Sequence, residues 1–344
     1  MTFQDVFNGS VSRPLIIAEI AQAHDGSLGM AHSYIDLAAE CGVHAIKFQT
    51  HFADEESTER EAWRVKFSYE DDRRIDYWRR MEFSEPQWHG LKAHCDEAGL
   101  IFLSSAFSER AFQLLLDLGV PAWKVASGEL NHTPLLDRML STDLPILLSS
   151  GMSGWTQLDE LLAKIQSAGN PVALFQCTSS YPTPMDQVGL NVISELSERY
   201  QVPVGLSDHS GEIYPCLAAQ ILGARLLEVH LTFDKRMFGP DAKASLEPGQ
   251  LKELVRASEL LAQMMEQPIN KDALAQSFVP QMQMFSRSLV ATRDLPAGHQ
   301  LTAEDLCAKK PGGGMEPALY RSLIGRTLVR SRARDEAFEP ADFE

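Results

Sequence analysis

Two histidines in the segment 207–233, SDHSGEIYPCLAAQILGARLLEVHLTF, have the types and spacing that could do chemistry. His209 comes directly after a short apolar run, and His230 ends the next one. A pair of neutral imidazoles can hold a divalent transition metal and leave open positions for water and substrate. We therefore interpret His209 and His230 as metal ligands. The alternative is that each is a structural histidine that makes hydrogen bonds within the fold.

Other apolar runs also end on side chains that can do chemistry. Lysine is rarely buried without a partner, so Lys47 and Lys124 inside such runs indicate a functional site rather than packing. The polar residues at or beside the run ends are Glu19, Lys47, Gln49, Ser104, Ser105, Lys124, Ser127, Ser149, Ser150, Thr178, Ser207, His209 and His230. These side chains form a single site if the run ends meet in space.

Eight short runs rich in branched apolar residues must position these side chains. Near-continuous hydrophobicity over five or six residues is typical of strands buried on both faces of a parallel sheet. Longer amphipathic segments lie between the runs, such as 30–42 and 109–119, and both of these end in a glycine suited to a helix C-cap. The runs are LIIAEI (15–20), HAIKFQ (44–49), LIFLSS (100–105), AWKVAS (122–127), PILLSS (145–150), VALFQC (172–177), VPVGLS (202–207) and RLLEVH (225–230).

This alternation of strand and helix, repeated eight times, predicts an α/β fold of the (β/α)8 TIM-barrel type. An open, doubly wound sheet is the alternative, because counting runs does not establish that the sheet closes. In a barrel the C-terminal strand ends converge on one mouth. His209 and His230 would then follow two neighbouring strands and share that mouth with the lysines.

Composition limits the partners and the compartment. The chain has 344 residues, with 31 basic and 47 acidic side chains and a net charge of −16. Such a charge disfavours nucleic acid and anionic membranes as partners, so the basic groups that bind an anionic substrate must be concentrated locally. The five cysteines are scattered, which is typical of reduced thiols. With no signal peptide or membrane-spanning run evident, we expect a cytoplasmic protein.

The character of the chain changes after residues 245–267, SLEPGQLKELVRASELLAQMMEQ, which we interpret as the last helix of the barrel domain. We predict a barrel domain over residues 1–267, a linker over 268–286 and a compact accessory domain over 287–344. The last segment contains short strand-like stretches, a PAGH turn, a PGGG turn and the helix-start signal TAEDL. So small a unit buries a limited core, and we expect it to pack on the barrel or on a partner subunit.

A series of ordered motifs covering nearly the whole chain resembles the sialic acid synthase family. The motifs are IIAEIAQAHDGSLGMA, AIKFQT, FLSSAFS, VPAWKVASGEL, ILLSSGMS, QCTSSYPTP, VGLSDHSG, EVHLTFDKRMFGPDAKASLEP and RSLVATRDLPAGHQLTAEDL. The resemblance implies a TIM barrel followed by a C-terminal antifreeze-like domain of the SAF (β-clip) type. It also implies condensation of phosphoenolpyruvate with an N-acylated mannose-type sugar, which gives a nine-carbon 2-keto acid and phosphate.

The same resemblance implies a role for each site residue. His209 and His230 match the ligands of a divalent metal, manganese or magnesium. The match to the phosphoenolpyruvate site consists of Lys47, Lys124, Ser127, Ser149 and Ser207. Glu19 and Asp241 match the groups that position or activate the attacking water. The match to the sugar site consists of Gln49, Glu129 and Tyr181, together with Lys310 from the accessory domain of a domain-swapped homodimer.

The chain departs from the family motifs at several positions. Ala21 and Ala23 stand where the family usually has glycine and asparagine in AEIGxNHxG. Ala242 replaces the histidine of GPDHK, so that position supplies no third imidazole ligand. Lys310 stands where the family has the arginine of KRPG, and it keeps the charge but loses the two-pronged donor geometry.

Three other functions are also compatible with the sequence. One is a barrel aldolase or hydrolase that uses the same metal without phosphoenolpyruvate. Another is a Schiff-base aldolase centred on Lys124. The last is a non-catalytic protein that binds carbohydrate or ice. The choice of acceptor sugar, among N-acetylmannosamine, a diacetamido-trideoxy sugar and mannose, and the choice among manganese, magnesium and cobalt also stay open.

Overall fold

In the computed structural model of the chain, eight parallel strands close into a barrel in the order β1 to β8. The structure describes residues 1–9, 12–63 and 65–343. The strands are β1 Leu15–Ala21, β2 Ala45–Thr50, β3 Ile101–Ala106, β4 Trp123–Val125, β5 Ile146–Ser149, β6 Val172–Cys177, β7 Val204–Asp208 and β8 Leu226–His230. The predicted TIM barrel is therefore confirmed, and the open sheet is excluded because β1 pairs with β8.

Helices connect the strands on the outside of this barrel. The first unit of the chain, Met1–Glu266, contains α1 Phe3–Phe7, α2 Leu28–Cys41, α3 Ala53–Glu56, α4 Arg74–Met81, α5 Glu85–Glu97, α6 Glu109–Asp117, α7 Thr133–Leu140, α8 Trp155–Ala168, α9 Leu190–Tyr200, α10 Tyr214–Ile221 and α11 Pro248–Glu266. Short 3-10 turns, Ser127–Glu129, Met185–Gln187 and Ala242–Ala244, lie in the loops after β4, β6 and β8. The second of the two glycine-ended segments, 109–119, forms α6, and the first forms most of α2. Within the described residues, no helix combines the length and the apolar character needed to cross a membrane.

Strand register brings polar side chains to one level of the barrel. Glu19 in β1 lies opposite Lys47 in β2 on one side and opposite His230 in β8 on the other. Ser207 in β7 lies opposite Glu228 in β8. Alternate residues of a strand face the same side, so these side chains project into the barrel near the C-terminal strand ends.

The opposite end of the barrel interior is apolar. Inward residues near the strand starts, such as Leu15, Leu103 and Leu226, form a core cluster that also includes Phe3 and Val6 of α1. Helix α1 starts with a capping box between Thr2 and Asp5, which satisfies the first amides of the helix. This short helix therefore closes the end of the barrel away from the polar strand ends, while a larger cluster packs the strands against the outer helices.

The second unit, Gln267–Glu344, has its own small core. It contains α12 Lys271–Ser277 and α13 Val279–Phe285, both within the segment predicted as a linker, then β9 Ser288–Ala291, β10 Leu306–Lys309 and α14 Tyr320–Leu323. Strands β9 and β10 pair antiparallel. The buried side chains that form the core are Leu289, Ala291, Leu295, Leu301, Leu306, Leu323, Leu328, Phe338 and Phe343.

Two buried aspartates stabilise this unit electrostatically. Asp305 accepts hydrogen bonds from Thr302 N at 2.9 Å, His299 Nε2 at 2.8 Å and Arg293 Nη2 at 2.8 Å. Asp342 pairs with Arg332 and is also fully buried. Burial alone would raise the pKa of Asp305, but hydrogen bonds from His299, Thr302 and Arg293 hold it well below its ordinary value of 3.8.

We expect acid to destabilise the second unit through Asp305. A carboxyl whose pKa is depressed by folding stabilises the native state above its unfolded pKa, and this stability is lost as the pH falls below about 4. Hydrogen exchange of residues 288–309 in the full chain, corrected for intrinsic rates, should show less protection near pH 3.5 than near pH 6. Asp305→Asn should lose about 2 kcal/mol of protection at the higher pH and show little further pH dependence. Equal protection of the wild-type chain at both pH values would contradict the assignment.

Candidate active site

Two lysines and two glutamates form a buried charge cluster inside the barrel. Lys47 pairs with Glu19, and its Nζ lies 3.9 Å from Glu228 Oε2. Lys124 Nζ lies 3.0 Å from Glu228 Oε1. All four side chains are 6% exposed or less. The side chains come from β1, β2, β4 and β8, so only barrel closure brings them together.

The charges of this cluster set its protonation states. Burial alone would raise the pKa of Glu228, but Lys124 and Lys47 lower it to about 2. Burial raises the pKa of Glu19 to about 7, partly opposed by Lys47 and reinforced by Glu228. Burial lowers the pKa of Lys124, whereas Glu19 and Glu228 outweigh burial and raise the pKa of Lys47. Glu228 is therefore a permanent carboxylate between two ammonium groups, and Glu19 can exchange a proton near neutral pH.

Hydroxyl groups line the same space. Lys124 Nζ donates to Ser149 Oγ at 3.0 Å, and Ser207 Oγ donates to Glu228 Oε1 at 3.0 Å. Among the described residues, the buried Ser105 Oγ and Glu228 Oε2 have no hydrogen-bond partner. Buried polar atoms normally have partners, so a polar ligand or water would complete the hydrogen bonding of these two atoms.

The Gln49 side chain extends the cluster toward the barrel mouth. Its Nε2 donates to Glu19 Oε1 at 3.2 Å, and its Oε1 accepts from Gln22 Nε2. Gln49 is half-buried, whereas Gln22 is buried. The half-buried Gln49 amide therefore connects the buried Glu19 carboxyl to Gln22, which directly follows β1.

His209 and His230 lie side by side, with ring centroids 5.2 Å apart. Thr178 O lies 3.0 Å from His209 Nδ1, which donates to this carbonyl and leaves the Nε2 lone pair available. That Nε2 is 3.2 Å from Tyr181 OH and 3.4 Å from Ser207 Oγ. The structure thus brings this predicted pair together with Tyr181 and Ser207.

The donor chemistry of this pair fits a divalent metal. Burial, reinforced by His230, lowers the pKa of His209 to about 3, so the imidazole is neutral as a ligand must be. Metal-ligating histidines usually donate their other ring nitrogen to a carbonyl or carboxylate, as His209 does here. Within the described residues, no group of three or more His, Cys, Asp or Glu side chains could hold a metal ion. Water or substrate oxygens would have to complete the coordination.

Asp241 lies in the loop after β8, in a pocket beside the histidine pair. His230, Ile20, Ala23 and Ala242 also line this pocket, which encloses about 260 Å³ of space open in part to solvent. Two of the three alanines that depart from the family motifs, Ala23 and Ala242, therefore line the same pocket.

The remaining predicted residues, Ser127, Glu129 and Lys310, make contacts of their own. Ser127 Oγ accepts from Gly151 N at 3.1 Å, just beyond β5. Glu129, half-buried, has its Oε2 3.2 Å from His132 Nδ1. Lys310 is exposed in the second unit, where its Nζ lies 5.4 Å from the centre of the Phe285 ring. Its predicted contact with a sugar stays a prediction.

Glu228 is a site residue that is not among the residues predicted from the sequence. It lies inside the apolar run 225–230, and a glutamate in a buried strand is as unusual as a lysine. It also stands two residues before His230, and therefore projects from the same side of β8. That spacing was the signal that could have identified Glu228.

A closed barrel whose mouth carries paired lysines, carboxylates and imidazoles defines a (β/α)8-barrel enzyme. The chain belongs to the NeuB family, whose model matches residues 34–270, and residues 286–344 match the SAF domain. The predicted resemblance, the accessory domain and the assignment as a synthase-type enzyme are thereby confirmed.

Named relatives span almost the whole chain. N,N'-diacetyllegionaminic acid synthase of Campylobacter jejuni is 30% identical and aligns with 95% of this chain and 99% of its own length. Human N-acetylneuraminate-9-phosphate synthase is 32% identical over 93% of this chain and 90% of its own length. The crystal structure of an N-acetylneuraminic acid synthetase from Leptospira borgpetersenii superposes with a TM-score of 0.69 at 28% identity, covering 78% of this chain and 92% of that one.

Proposed function

We propose that this enzyme condenses phosphoenolpyruvate with an N-acylated mannose-type sugar to give a nine-carbon 2-keto acid and phosphate. The observation that carries the proposal is the pair of buried ammonium groups, Lys47 and Lys124, beside hydroxyls and orphaned polar atoms inside the barrel. A small substrate with a carboxylate and a phosphate matches such a site. The relatives include synthases named for N,N'-diacetyllegionaminic acid, N-acetylneuraminate-9-phosphate and pseudaminic acid, and these names support a sugar-acid product.

The phosphoenolpyruvate site would consist of side chains from four strands, β2, β4, β5 and β7, and from the turn that follows β4. Lys47, Lys124, Ser127, Ser149 and Ser207 would bind its carboxylate and phosphate. Because Lys124 already donates to Ser149 and pairs with Glu228, its orientation is set before substrate arrives. Such preorganised charge stabilises a leaving phosphate at little reorganisation cost.

The reaction would form one carbon–carbon bond and break one carbon–oxygen bond. C3 of phosphoenolpyruvate attacks the aldehyde carbon of the sugar, and water adds to C2. The tetrahedral centre then collapses with cleavage of the C2–O bond, and phosphate leaves. Glu19 and Asp241 would orient the water and accept its proton, while Gln49, Glu129 and Tyr181 would hold the sugar.

His209 and His230 would hold a divalent cation, manganese or magnesium. When bound, such an ion supplies Lewis-acid polarisation of a carbonyl oxygen. We also propose a homodimer in which Lys310 of the second unit contacts the sugar bound to the partner barrel. Lysine would make a single hydrogen bond where an arginine would make two.

Phosphate release tests the proposal. The enzyme is incubated with manganese or magnesium, phosphoenolpyruvate and a panel of N-acylated mannose-type sugars, with mannose and omitted sugar as controls. Released phosphate should require both the sugar and the metal, and the product mass should equal sugar plus pyruvate. Phosphoenolpyruvate labelled with 18O at the bridging oxygen should transfer the label to phosphate. Label retained in the keto acid would contradict C–O cleavage.

A Schiff-base aldolase is the second candidate, because burial lowers the pKa of Lys124 as a nucleophilic amine requires. Borohydride reduction in the presence of pyruvate distinguishes the two. We expect no covalent adduct, since Lys124 is paired with Glu228 at 3.0 Å. An adduct on Lys124 would favour the aldolase.

A further inference from the structure

Tyr181 lies against both histidines of the predicted metal site. Its ring stacks on the His209 ring, with centroids 4.2 Å apart and an angle of 26° between the ring planes. The same ring meets His230 edge to face, with centroids 5.8 Å apart. The Tyr181 hydroxyl lies 3.2 Å from His209 Nε2. One tyrosine therefore contacts both imidazoles and reaches the nitrogen that would bind a cation.

Hydrogen-bond partners determine which group donates to this nitrogen. The His209 ring is neutral, and its Nδ1 lies 3.0 Å from Thr178 O, which can only accept. The ring hydrogen is therefore on Nδ1, and Nε2 offers a lone pair. Ser207 Oγ, 3.4 Å from Nε2, gives its single hydrogen to Glu228 Oε1. The Tyr181 hydroxyl is thus the donor to His209 Nε2.

The loop that carries Tyr181 is bound to His209 on both sides. Thr178 O accepts from His209 Nδ1, and Thr183 N donates to His209 O at 2.9 Å. Thr183 Oγ1 also donates to Ser180 O at 2.8 Å, inside the same loop. These contacts keep the two rings stacked. The direction of the Tyr181 O–H bond is the part that can change, because a hydroxyl hydrogen rotates to suit its partners.

The single lone pair of His209 Nε2 serves one partner at a time. It accepts a hydrogen bond from Tyr181 or binds a cation, and it cannot do both. For His209 to act as a ligand, Tyr181 must turn its hydrogen away from the nitrogen. That hydrogen is then available to an oxygen of a bound sugar.

We propose that the Tyr181 hydroxyl and a divalent cation compete for His209 Nε2, and that cation binding redirects the hydroxyl hydrogen to the acceptor sugar. Cation and sugar then favour the same orientation of the hydroxyl, so each strengthens the binding of the other. The part of this proposal that concerns the sugar rests on the proposed function. The competition for the nitrogen does not.

Manganese titration calorimetry of the full chain tests the competition without sugar or turnover. Tyr181→Phe keeps the ring that stacks on His209 and removes only the hydroxyl. We expect this variant to bind manganese about 5-fold more tightly than wild type, because one hydrogen bond no longer has to be broken. An unchanged or weaker affinity would overturn the proposal, since the hydroxyl would then not oppose the cation. If the wild-type chain binds no manganese, the competition and the assignment of the ligands both fail.

Tyr200 offers a matched control on the outside of the barrel. Its hydroxyl donates to Asp159 Oδ1 at 2.9 Å, between α8 and α9. Tyr200→Phe removes a hydrogen-bonded phenol hydroxyl of the same kind and should leave the manganese affinity unchanged. An equal gain in affinity from Tyr200→Phe would mean that the effect does not arise at His209, and would also overturn the proposal.

Manganese titrations with and without sugar test the redirection. They use the acceptor sugar that gives the fastest phosphate release, and they omit phosphoenolpyruvate so that no reaction occurs. The sugar should tighten manganese binding by wild type, and this gain should be about 5-fold smaller in Tyr181→Phe. The same gain in both proteins would refute the redirection.

The two titrations also separate this proposal from the proposed function. If no sugar of the panel supports phosphate release, the proposed function fails, and the redirection to the sugar fails with it. The manganese affinity of Tyr181→Phe still decides whether the hydroxyl and the cation compete.

Discussion

Replacing Lys124 with methionine should lower kcat/KM for phosphoenolpyruvate about 10³-fold, equivalent to about 4 kcal/mol of transition-state stabilisation. The lysine is 3% exposed and contacts both Ser149 Oγ and Glu228 Oε1 at 3.0 Å. Methionine fills similar volume without charge. Steady-state phosphate release at varied phosphoenolpyruvate measures the loss.

The same substitution should also destabilise the barrel. Glu228 would keep only Lys47, whose Nζ is 3.9 Å away, as a cationic partner. Breaking a buried ion pair from one side costs about 3–5 kcal/mol, because the remaining charge is uncompensated. Chemical denaturation of the full chain should show this as a lower midpoint.

A double variant separates the two effects. Lys124→Met combined with Glu228→Gln removes both charges, so most of the lost stability should return while the activity should not. Recovered activity in the double variant would mean that Lys124 serves folding alone. Full activity in Lys124→Met by itself would contradict its assignment to the phosphoenolpyruvate site.

Replacing His230 with alanine should reduce metal-stimulated turnover to the level seen with a chelator, a loss of at least about 10³-fold. Its ring lies 5.2 Å from that of His209, so one imidazole would be left to hold the cation. Manganese binding by calorimetry should weaken at least about 100-fold, a readout that does not depend on turnover. His230 is buried, so its truncation also leaves a cavity, and the denaturation midpoint should fall although the chain still folds.

An exposed histidine provides the matched control. His89 lies on α5 and is exposed to solvent. His89→Ala should leave both manganese binding and turnover unchanged. Undiminished manganese affinity in His230→Ala would show that the pair is structural, which was the alternative interpretation of these histidines.

The strands and the positions of most polar site residues follow from the sequence, because both depend on local pattern. Each of the eight apolar runs overlaps a strand of the barrel. A continuous apolar run must be buried on both faces whatever its neighbours are. Polar residues at the run ends, such as Lys47 and His230, then lie at the mouth because parallel strands end at the same edge.

The partners of these residues were decided only by the tertiary structure. Lys124 and Glu228 are 104 positions apart, and Gln49 and Glu19 meet across β1 and β2. The stagger of the strands in a closed sheet determines which inward side chains share a level, and this stagger is not encoded in any one run.

The surroundings of His51, a buried histidine directly after β2, also depend on the tertiary structure. Its sequence neighbours include Glu56, but the Trp78 and Phe107 rings that hold it come from α4 and from the loop after β3. Local pattern determined that this protein is a barrel with a polar mouth. Closure of the sheet, which joins β1 to β8 through backbone hydrogen bonds between distant segments, decided which of the polar groups at that mouth act together.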